Sequence, residues 1–371
     1  MRVVTDFAEL PGALAAALDG GPAVLPVGDP ALAEAMRPDL PVEDGTAVII
    51  ATSGSTGAPK GVLLSAAALR ASATATHERL GGPGRWLLAT PPQYIGGLQV
   101  LVRSMLARTS PVVLDSRAGF RAADFAEGVR ELVRQPGPHY SALVPTQLSR
   151  LVDAGPEVTR EVAKLDAIVL GGAALDPGLA ERAASAGITA VPAYGMSETA
   201  SGCVYRGVPL SGVDIRIGDG GRVEIAGSVL AHGYRLNPEL TSESFVDGWF
   251  RTSDLGRFDG GRLAVLGRAD DVINTGGVKV PAAAVERVLL AHPAVRAACV
   301  VGVPDPEWGE AVVAAVVLAG DRLPEDELRA AVRAEAGAAA VPKRVLALAE
   351  LPLRGPGKVD RSGVRGLFEQ G

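Results

Sequence analysis

Residues 52–61 read T-S-G-S-T-G-A-P-K-G, and the reading of this stretch decides the fold. It carries three glycines (Gly54, Gly57, Gly61), four hydroxyl side chains (Thr52, Ser53, Ser55, Thr56) and one cation, Lys60. The apolar run before it, A-V-I-I-A at 47–51, reads as a buried strand, and the Ala-rich residues 65–80 after it read as a helix. Glycines let backbone N–H groups crowd an anion, hydroxyls add donors and a lysine adds charge, so such a loop behind a buried strand reads as a phosphate cradle. It is not a Walker A loop, because Lys60 follows Pro59 and precedes Gly61 instead of standing in G-K-S/T. A solvated Gly/Ser linker is the competing reading. A lysine and a proline so soon after a buried strand argue against it.

Working outward, apolar runs that read as strands recur at 86–89, 111–114, 140–144, 167–170 and 189–193. Helical patterns lie between them at 65–80, 98–107, 122–133, 146–152 and 177–186. This alternation predicts a layered α/β domain with a largely buried sheet. Residues 1–46 read as a short opening segment with one amphipathic helix at 7–18 and six prolines and glycines over 22–41. After Ser197 the texture changes to short strands and glycine turns. D-G-G at 219–221 and again at 259–261 marks two hairpins, so 204–267 is expected to be a small twisted β-subdomain. A third texture begins near Gly267: a helix over 281–291, strands at 295–303 and 311–319, a helix over 325–336 stopped by Gly337, and a strand at 344–348. Residues 352–361, P-L-R-G-P-G-K-V-D-R, read as a loop carrying Lys358. The expected fold class is therefore α/β. A large N-terminal layered domain spans 1–267, with its β-rich part at 204–267, and a smaller α+β C-terminal domain spans 268–371.

The totals bound the function. The 371 residues fit two or three domains at about 150 residues each, and 47% hydrophobic content supplies a sizeable core. A net charge of −6 and a pI near 5.4 give no electrostatic footprint for nucleic acid or an anionic membrane. Mean hydropathy is +0.23, yet no run reaches the roughly 18 apolar residues of a membrane span. The apolar run A-V-V-A-A-V-V-L-A at 311–319 fits a buried strand better. The N-terminal M-R-V-V-T-D-F-A-E-L lacks a hydrophobic signal region. Cys203 and Cys299 have no metal-ligand spacing, and the four histidines (His77, His139, His232, His292) form no ligand cluster. A cytoplasmic, disulfide-free protein is expected, with a homodimer left open.

Four motifs stand in one order: the 52–61 loop; Y-G-M-S-E-T at 194–199; R-T-S-D-L-G at 251–256 with G-R-A-D-D-V-I-N-T-G-G at 267–277; and G-K-V-D-R at 357–361. In this order and at these separations they resemble the superfamily of acyl- and aryl-CoA synthetases, adenylation domains and luciferases, over residues 46–371. The segment before the loop is shorter than is usual there. Together with Y-I-G-G-L-Q-V-L-V-R (94–103) and V-P-T-Q-L-S-R-L (144–151), it resembles the o-succinylbenzoate–CoA ligases of menaquinone synthesis, the actinobacterial kind in particular.

The resemblance implies an enzyme that uses ATP, Mg2+ and coenzyme A on a small carboxylic acid, through an acyl-adenylate. It implies that residues 52–57 and Lys60 hold the β- and γ-phosphates, that Glu198 is the Mg2+ ligand and that Thr199 bonds the α-phosphate. Gly171, Gly172 and Ala173 would admit the adenine edge, Tyr194 would stack on it, and Gly195, Met196 and Ser197 complete that motif. Asp254 would accept from the ribose hydroxyls, with Arg268 near ribose or phosphate. Asp270 would be the hinge of a mobile C-terminal domain, Gly276 and Gly277 would line the pantetheine channel, and Lys358 would bridge the carboxylate and α-phosphate. Tyr94, Leu98 and Thr146 are acyl-pocket candidates beside Gly172. Gln93-Tyr94 replaces the aromatic-His pair of many relatives, and Arg103 is considered for a second substrate carboxylate. Another aryl- or acyl-CoA ligase, an adenylation domain loading a carrier protein, and a catalytically dead nucleotide-binding regulator are the alternatives. The last is disfavoured because Lys60, Glu198, Asp254, Arg268 and Lys358 are all present.

Overall fold

The computed structural model describes residues 1–53, 59–115, 119–354 and 357–369. The chain forms two compact units. One comprises 1–175, 179–216 and 224–252; the other comprises 176–178, 217–223 and 253–371.

The phosphate-loop stretch enters the first unit differently from the strand–loop–helix expectation. Pro59–Leu64 is itself a strand, antiparallel to Val48–Ser53 over six residue pairs, from Val48↔Leu64 to Ser53↔Pro59. The helix begins only at Ala66, with the Ser65 hydroxyl accepting from the Ala68 N–H as its N-cap, and it ends on left-handed Gly81. The opening segment is more structured than its proline content suggests. Arg2–Val4 and Val24–Pro26 are strands that pair parallel with each other, and the second pairs parallel with Val48–Ser53. With Gly233–Tyr234 antiparallel at the far edge, they complete a five-stranded sheet. Arg235 fastens the rest of the segment. Its buried guanidinium donates to the carbonyls of Met36, Arg37, Leu40 and Pro41 and pairs with Glu43 at 2.8 Å.

The second sheet of this unit has the expected alternation. Val112–Val113, Arg85–Leu88, His139–Leu143, Ala167–Leu170 and Ala190–Met196 run parallel, and Ser201–Tyr205 and Val208–Pro209 add antiparallel strands. Phe125, Val129, Leu132, Leu148, Leu151, Val162, Leu179 and Ala183 pack helices onto it. Residues 201–209 thus belong to this sheet and 233–234 to the first one, which corrects the expected extent of the β-subdomain. The small sheet is Val213–Ile217, Arg222–Gly227, Trp249–Asp259, Phe245–Val246 and Arg262–Arg268. The second D-G-G sits where expected: Asp259 pairs with Arg262, and Gly260 and Gly261 take φ of 55° and 77°, as a two-residue turn between strands requires.

In the second unit, Val295–Asp305 and Gly309–Leu318 form a long antiparallel pair, flanked by Val272–Thr275 with Val278–Pro281 and by the parallel Arg344–Leu348. Alternate residues go to opposite faces. Val300, Val312, Ala314 and Val316 meet the helices Ala282–Leu290 and Glu325–Ala336, whereas Val301, Val313 and Ala315 meet Val364 and Phe368 of the helix Arg361–Glu369. Both faces are covered, which explains why this strand reads as an unbroken apolar run.

Candidate active site

In the first unit the structure brings Lys60, Glu198 and one residue that the motifs did not single out, Tyr234, into one cluster. Lys60 lies opposite Thr52, whose hydroxyl donates to the Lys60 carbonyl at 3.3 Å. Gly61 is glycine because a Cβ there would come within 2.6 Å of Met36 Sδ and 2.9 Å of Arg235 Cβ. The remaining loop residues, Gly54, Ser55, Thr56 and Gly57, and the side chain of Ser53, lie outside the described residues. Tyr234 stands on the strand that flanks Lys60's strand. Its ring lies 5.6 Å below Lys60 Nζ, and its hydroxyl donates to Glu198 Oε1 at 2.9 Å. The Ala231 N–H donates to the Glu198 carbonyl, so the same segment holds both backbone and side chain of Glu198. No local signal marks Tyr234 in H-G-Y at 232–234. Only the pairing of that strand with 62–63 reveals it.

Tyr194, Gly195 and Met196 end a strand, and Ser197–Thr199 forms one turn of 3-10 helix. A Cβ on Gly195 would run into the Ser201 carbonyl. Ala200 and Ser201 follow with φ of 48° and 109°, strained values for non-glycine residues. The strain is braced: Ser72 Oγ and Gln99 Nε2 both donate to the Ala200 carbonyl at 2.9 Å. Thr199, expected at the α-phosphate, makes its contacts within its own turn. It is fully buried, and its hydroxyl accepts from the Met196 N–H and points its single proton to the Ser201 carbonyl at 2.7 Å, with the Met196 carbonyl 3.1 Å away. It shapes the turn that presents Glu198. Gly171, Gly172 and Ala173 follow Ala167–Leu170 as expected, with the Gly171 N–H donating to the Leu143 carbonyl and Gly172 at φ 87°.

The acyl-pocket candidates separate. Tyr94 is half-buried at the N-cap of the helix Ile95–Leu106, and burial pushes its phenol pKa up. Thr146 is half-buried in the first turn of Pro145–Asp153. Leu98 is fully buried and belongs to the core. Arg103 turns inward to 1% exposure, with its Cζ 4.9 Å from the Trp86 ring centre and its Nε and Nη2 buried without partners. Burial lowers its pKa, and the adjoining His77, lowered to about 4 by burial and then by Arg103, is neutral at pH 7.

The second unit carries its own cluster. Asp254 sits within the long strand Trp249–Asp259, not in a loop, and is 8% exposed. It pairs across the hairpin with Arg268, whose Nη1 lies 3.8 Å from Asp254 Oδ1 and whose Nη2 donates to Asp270 at 2.7 Å. Burial opposes the charge on Arg268, but Asp270 and Asp254 more than offset it and raise the pKa. Gly276 and Gly277 form the two-residue turn between Val272–Thr275 and Val278–Pro281, with φ of 57° and 79°. A side chain on Gly276 would collide with the Trp308 ring. Lys358, expected in a loop, lies on a two-residue strand paired with Leu353–Arg354. Arg361, three residues on, pairs with Asp271 at 3.2 Å and Glu286 at 2.8 Å. Cys203 and Cys299 are buried free thiols, each pushed up to about 12 chiefly by burial.

A strand-borne lysine beside an acidic S-E-T turn in one unit, and an Asp–Arg pair with a hairpin lysine in the other, are the marks of a nucleotide-activating enzyme. The chain belongs to the AMP-binding enzyme family: the family's model matches residues 6–234, and that of its C-terminal domain matches 284–358. It is 46% identical, over 92% of its length and 89% of the other's, to a probable 2-succinylbenzoate–CoA ligase of Mycobacterium tuberculosis. Among solved structures it resembles the o-succinylbenzoate CoA synthetase MenE of Bacillus subtilis, captured with its acyl-adenylate intermediate (TM-score 0.74, 29% identity, 87% of this chain and 69% of that one). It also resembles the amide bond synthetase McbA of Marinactinospora thermotolerans (TM-score 0.78, 32% identity, 94% and 76%).

Proposed function

We propose that the chain is an AMP-forming acid–CoA ligase whose acid is 2-succinylbenzoate, acting in the cytoplasm in menaquinone biosynthesis. The observation that carries this reading is the 46% identity, spanning nearly the whole chain, to a protein described as a probable ligase of that acid. In the first step a carboxylate oxygen attacks the α-phosphorus of ATP. The acyl–phosphate bond forms, the α–β bridging bond breaks and pyrophosphate leaves. In the second step the thiol of coenzyme A loses its proton, its sulfur bonds to the acyl carbon, and the carbon–oxygen bond to AMP breaks. Both steps build charge on oxygen, so fixed cations and N–H donors are the main source of catalysis.

Each residue takes the role its family motif suggests. The 52–61 loop and Lys60 hold the β- and γ-phosphates, and Tyr194 with the 171–173 turn holds adenine. Asp254 takes the ribose hydroxyls, with Arg268 beside it. Lys358 supplies a cation to the carboxylate and α-phosphate in the first step, and Gly276-Gly277 lines the path of pantetheine in the second. We take 1–267 as the adenylating domain, although its residues 253–267 cluster with the second compact unit, and 268–371 as the part that turns about Asp270 between the two steps.

The donor set suits a nucleotide-borne magnesium ion. Among the described residues no three carboxylate, histidine or cysteine side chains gather as a metal cage. Glu198 offers one carboxylate, the usual protein share when phosphate oxygens and water complete the shell. Bound there, the ion would neutralise phosphate charge. Arg103 is the residue we assign to the second carboxylate of the acid. Its two unpartnered, buried guanidinium nitrogens are the pair that a carboxylate engages side by side.

A screen for pyrophosphate release over candidate acids, with and without coenzyme A, tests the reading. Release that depends on 2-succinylbenzoate, followed by a thioester when coenzyme A is added, is expected. Release with a different aryl or fatty acid alone would replace the substrate, and no acid-dependent release would overturn the ligase. The similarity to an amide bond synthetase favours one second reading, in which the adenylate is passed to an amine. An amide product in place of a thioester distinguishes it.

A further inference from the structure

We propose that Tyr234 is a positioning residue. It sets the Glu198 carboxylate for the divalent cation of the nucleotide and supports Lys60 on its ring face. The inference rests on the reading of Glu198 as the metal ligand. It starts from a geometry that core packing does not require. Tyr234 is 6% exposed and packs against Phe245 at 5.8 Å between ring centres, which any aromatic could do. Its polar tip nevertheless reaches Glu198 Oε1 at 2.9 Å, and its face lies 5.6 Å from Lys60 Nζ.

A carboxylate that is the lone protein ligand of a cation has freedom to rotate. A donor on one oxygen fixes its plane and leaves the other oxygen to the ion. The donor's direction is secure. An ionised carboxylate has no proton to give, so the phenol hydroxyl donates and Glu198 accepts. The residue is itself held in register: its N–H donates to Thr241 Oγ1 at 2.9 Å, and its strand pairs Tyr234 with Val62, two residues beyond Lys60. A lysine over an aromatic face keeps its charge while its stem is restrained. One side chain thus couples the cation of the phosphate loop to the anion that would hold the metal.

The test uses the full-length enzyme with ATP and Mn2+, whose free fraction is read by electron paramagnetic resonance, and a separate titration of ATP in EDTA. Tyr234→Phe keeps the ring and removes the donor. Mn2+ affinity in the presence of ATP is expected to fall about tenfold, with ATP binding in EDTA and the melting temperature unchanged. Tyr234→Leu is expected to lose the same metal affinity and, in addition, several-fold in ATP affinity in EDTA, because Lys60 is released. Glu198→Gln and the double variant with Tyr234→Phe close the cycle. If the two residues act as a unit, the double variant binds Mn2+ no more weakly than Glu198→Gln alone. Should Glu198→Gln weaken Mn2+ while Tyr234→Phe does not, the positioning role fails and the metal assignment survives. Should neither variant change Mn2+ binding, the assignment of Glu198 fails and takes the inference with it.

Discussion

Lys60 and Lys358 are both strand lysines beside a glycine, and their supports are built to opposite specifications. Lys60 belongs to a six-residue strand paired along its whole length, with Val62, Leu63 and Leu64 no more than 3% exposed behind it, a second strand at its other edge and an aromatic ring under its side chain. Lys358 belongs to a strand of two residues paired to two. That hairpin is closed at its base by the Asp360 N–H donating to the Pro352 carbonyl, and Arg361 anchors it to Asp271 and Glu286. The difference lies in how firmly each lysine is rooted. Under the proposed function, the lysine rooted in a core sheet would be the fixed phosphate ligand and the one on the minimal hairpin the cation that serves a single step.

The largest effect expected from this contrast is on chemistry without stability. Lys358→Ala should slow acid-dependent pyrophosphate release by 10³-fold or so, the scale for losing a charge stabiliser at the reacting centre. Thioester formation from supplied acyl-adenylate and the melting temperature should stay near wild type. Equal loss in both half-reactions would break the comparison, because Lys358 would then be no visitor. Arg103 extends the contrast to a cation buried more deeply than either lysine. Removing it with Arg103→Met should lower kcat/KM for a dicarboxylic acid about 10²-fold, consistent with lost charge-assisted hydrogen bonds. The apo protein should melt no lower, since a buried charge without a counter-ion is a burden to the fold. A drop in melting temperature with no change for the dicarboxylic acid would make Arg103 structural.

Gly61→Ala tests the rigid side alone. The added Cβ meets Met36, Arg235 and Ile49 at 2.6, 2.9 and 3.1 Å, all held by other contacts. Overpacking of about 2 kcal/mol is expected, read in urea unfolding. The same change at Gly357, one residue before Lys358 and at φ 98°, incurs backbone strain on the order of 1 kcal/mol. If both cost the same, the cradle is no better rooted than the hairpin.

What the sequence could reveal follows the same division. Residues 311–319 read as a strand because both faces of that strand are covered, so nothing polar interrupts them. The strand Pro59–Leu64 escaped because it opens with P-K-G, the chemistry of a loop, and its partner is set by the hairpin as a whole. The opening strands escaped because each is three residues long and finds its parallel partner some twenty residues away, information that no local window holds. The polar site residues were legible as motifs, yet their geometry was not. Nothing in S-E-T showed that the Thr199 hydroxyl would bond within its own turn, nor in the 94–103 run that Leu98 would be fully buried, and Tyr234 comes beside the site only through a strand pairing that sets residue 234 against residue 62.

The smallest expected effect concerns pH, and it separates the two units by measurement. His77, 5% exposed in the first unit, is held to a pKa of about 4 in the fold by burial and by Arg103, against 6.5 in an unfolded chain. Between those values the unfolded chain binds more protons than the native one, so this contribution to stability is full above pH 6.5 and is lost as pH falls toward 4. Between pH 7.5 and 5.5 the loss is on the order of 1 kcal/mol. It should appear as the difference between the wild type and His77→Leu, which removes the titrating group and thereby cancels the slope shared by all carboxylates. If the units melt in separate transitions, only that of the first should narrow its gap to the variant on acidification. A gap that stays constant from pH 7.5 to 5.5 would mean that His77 is as easily protonated in the fold as outside it, and that the cationic interior around Arg103 is wetter than its burial implies.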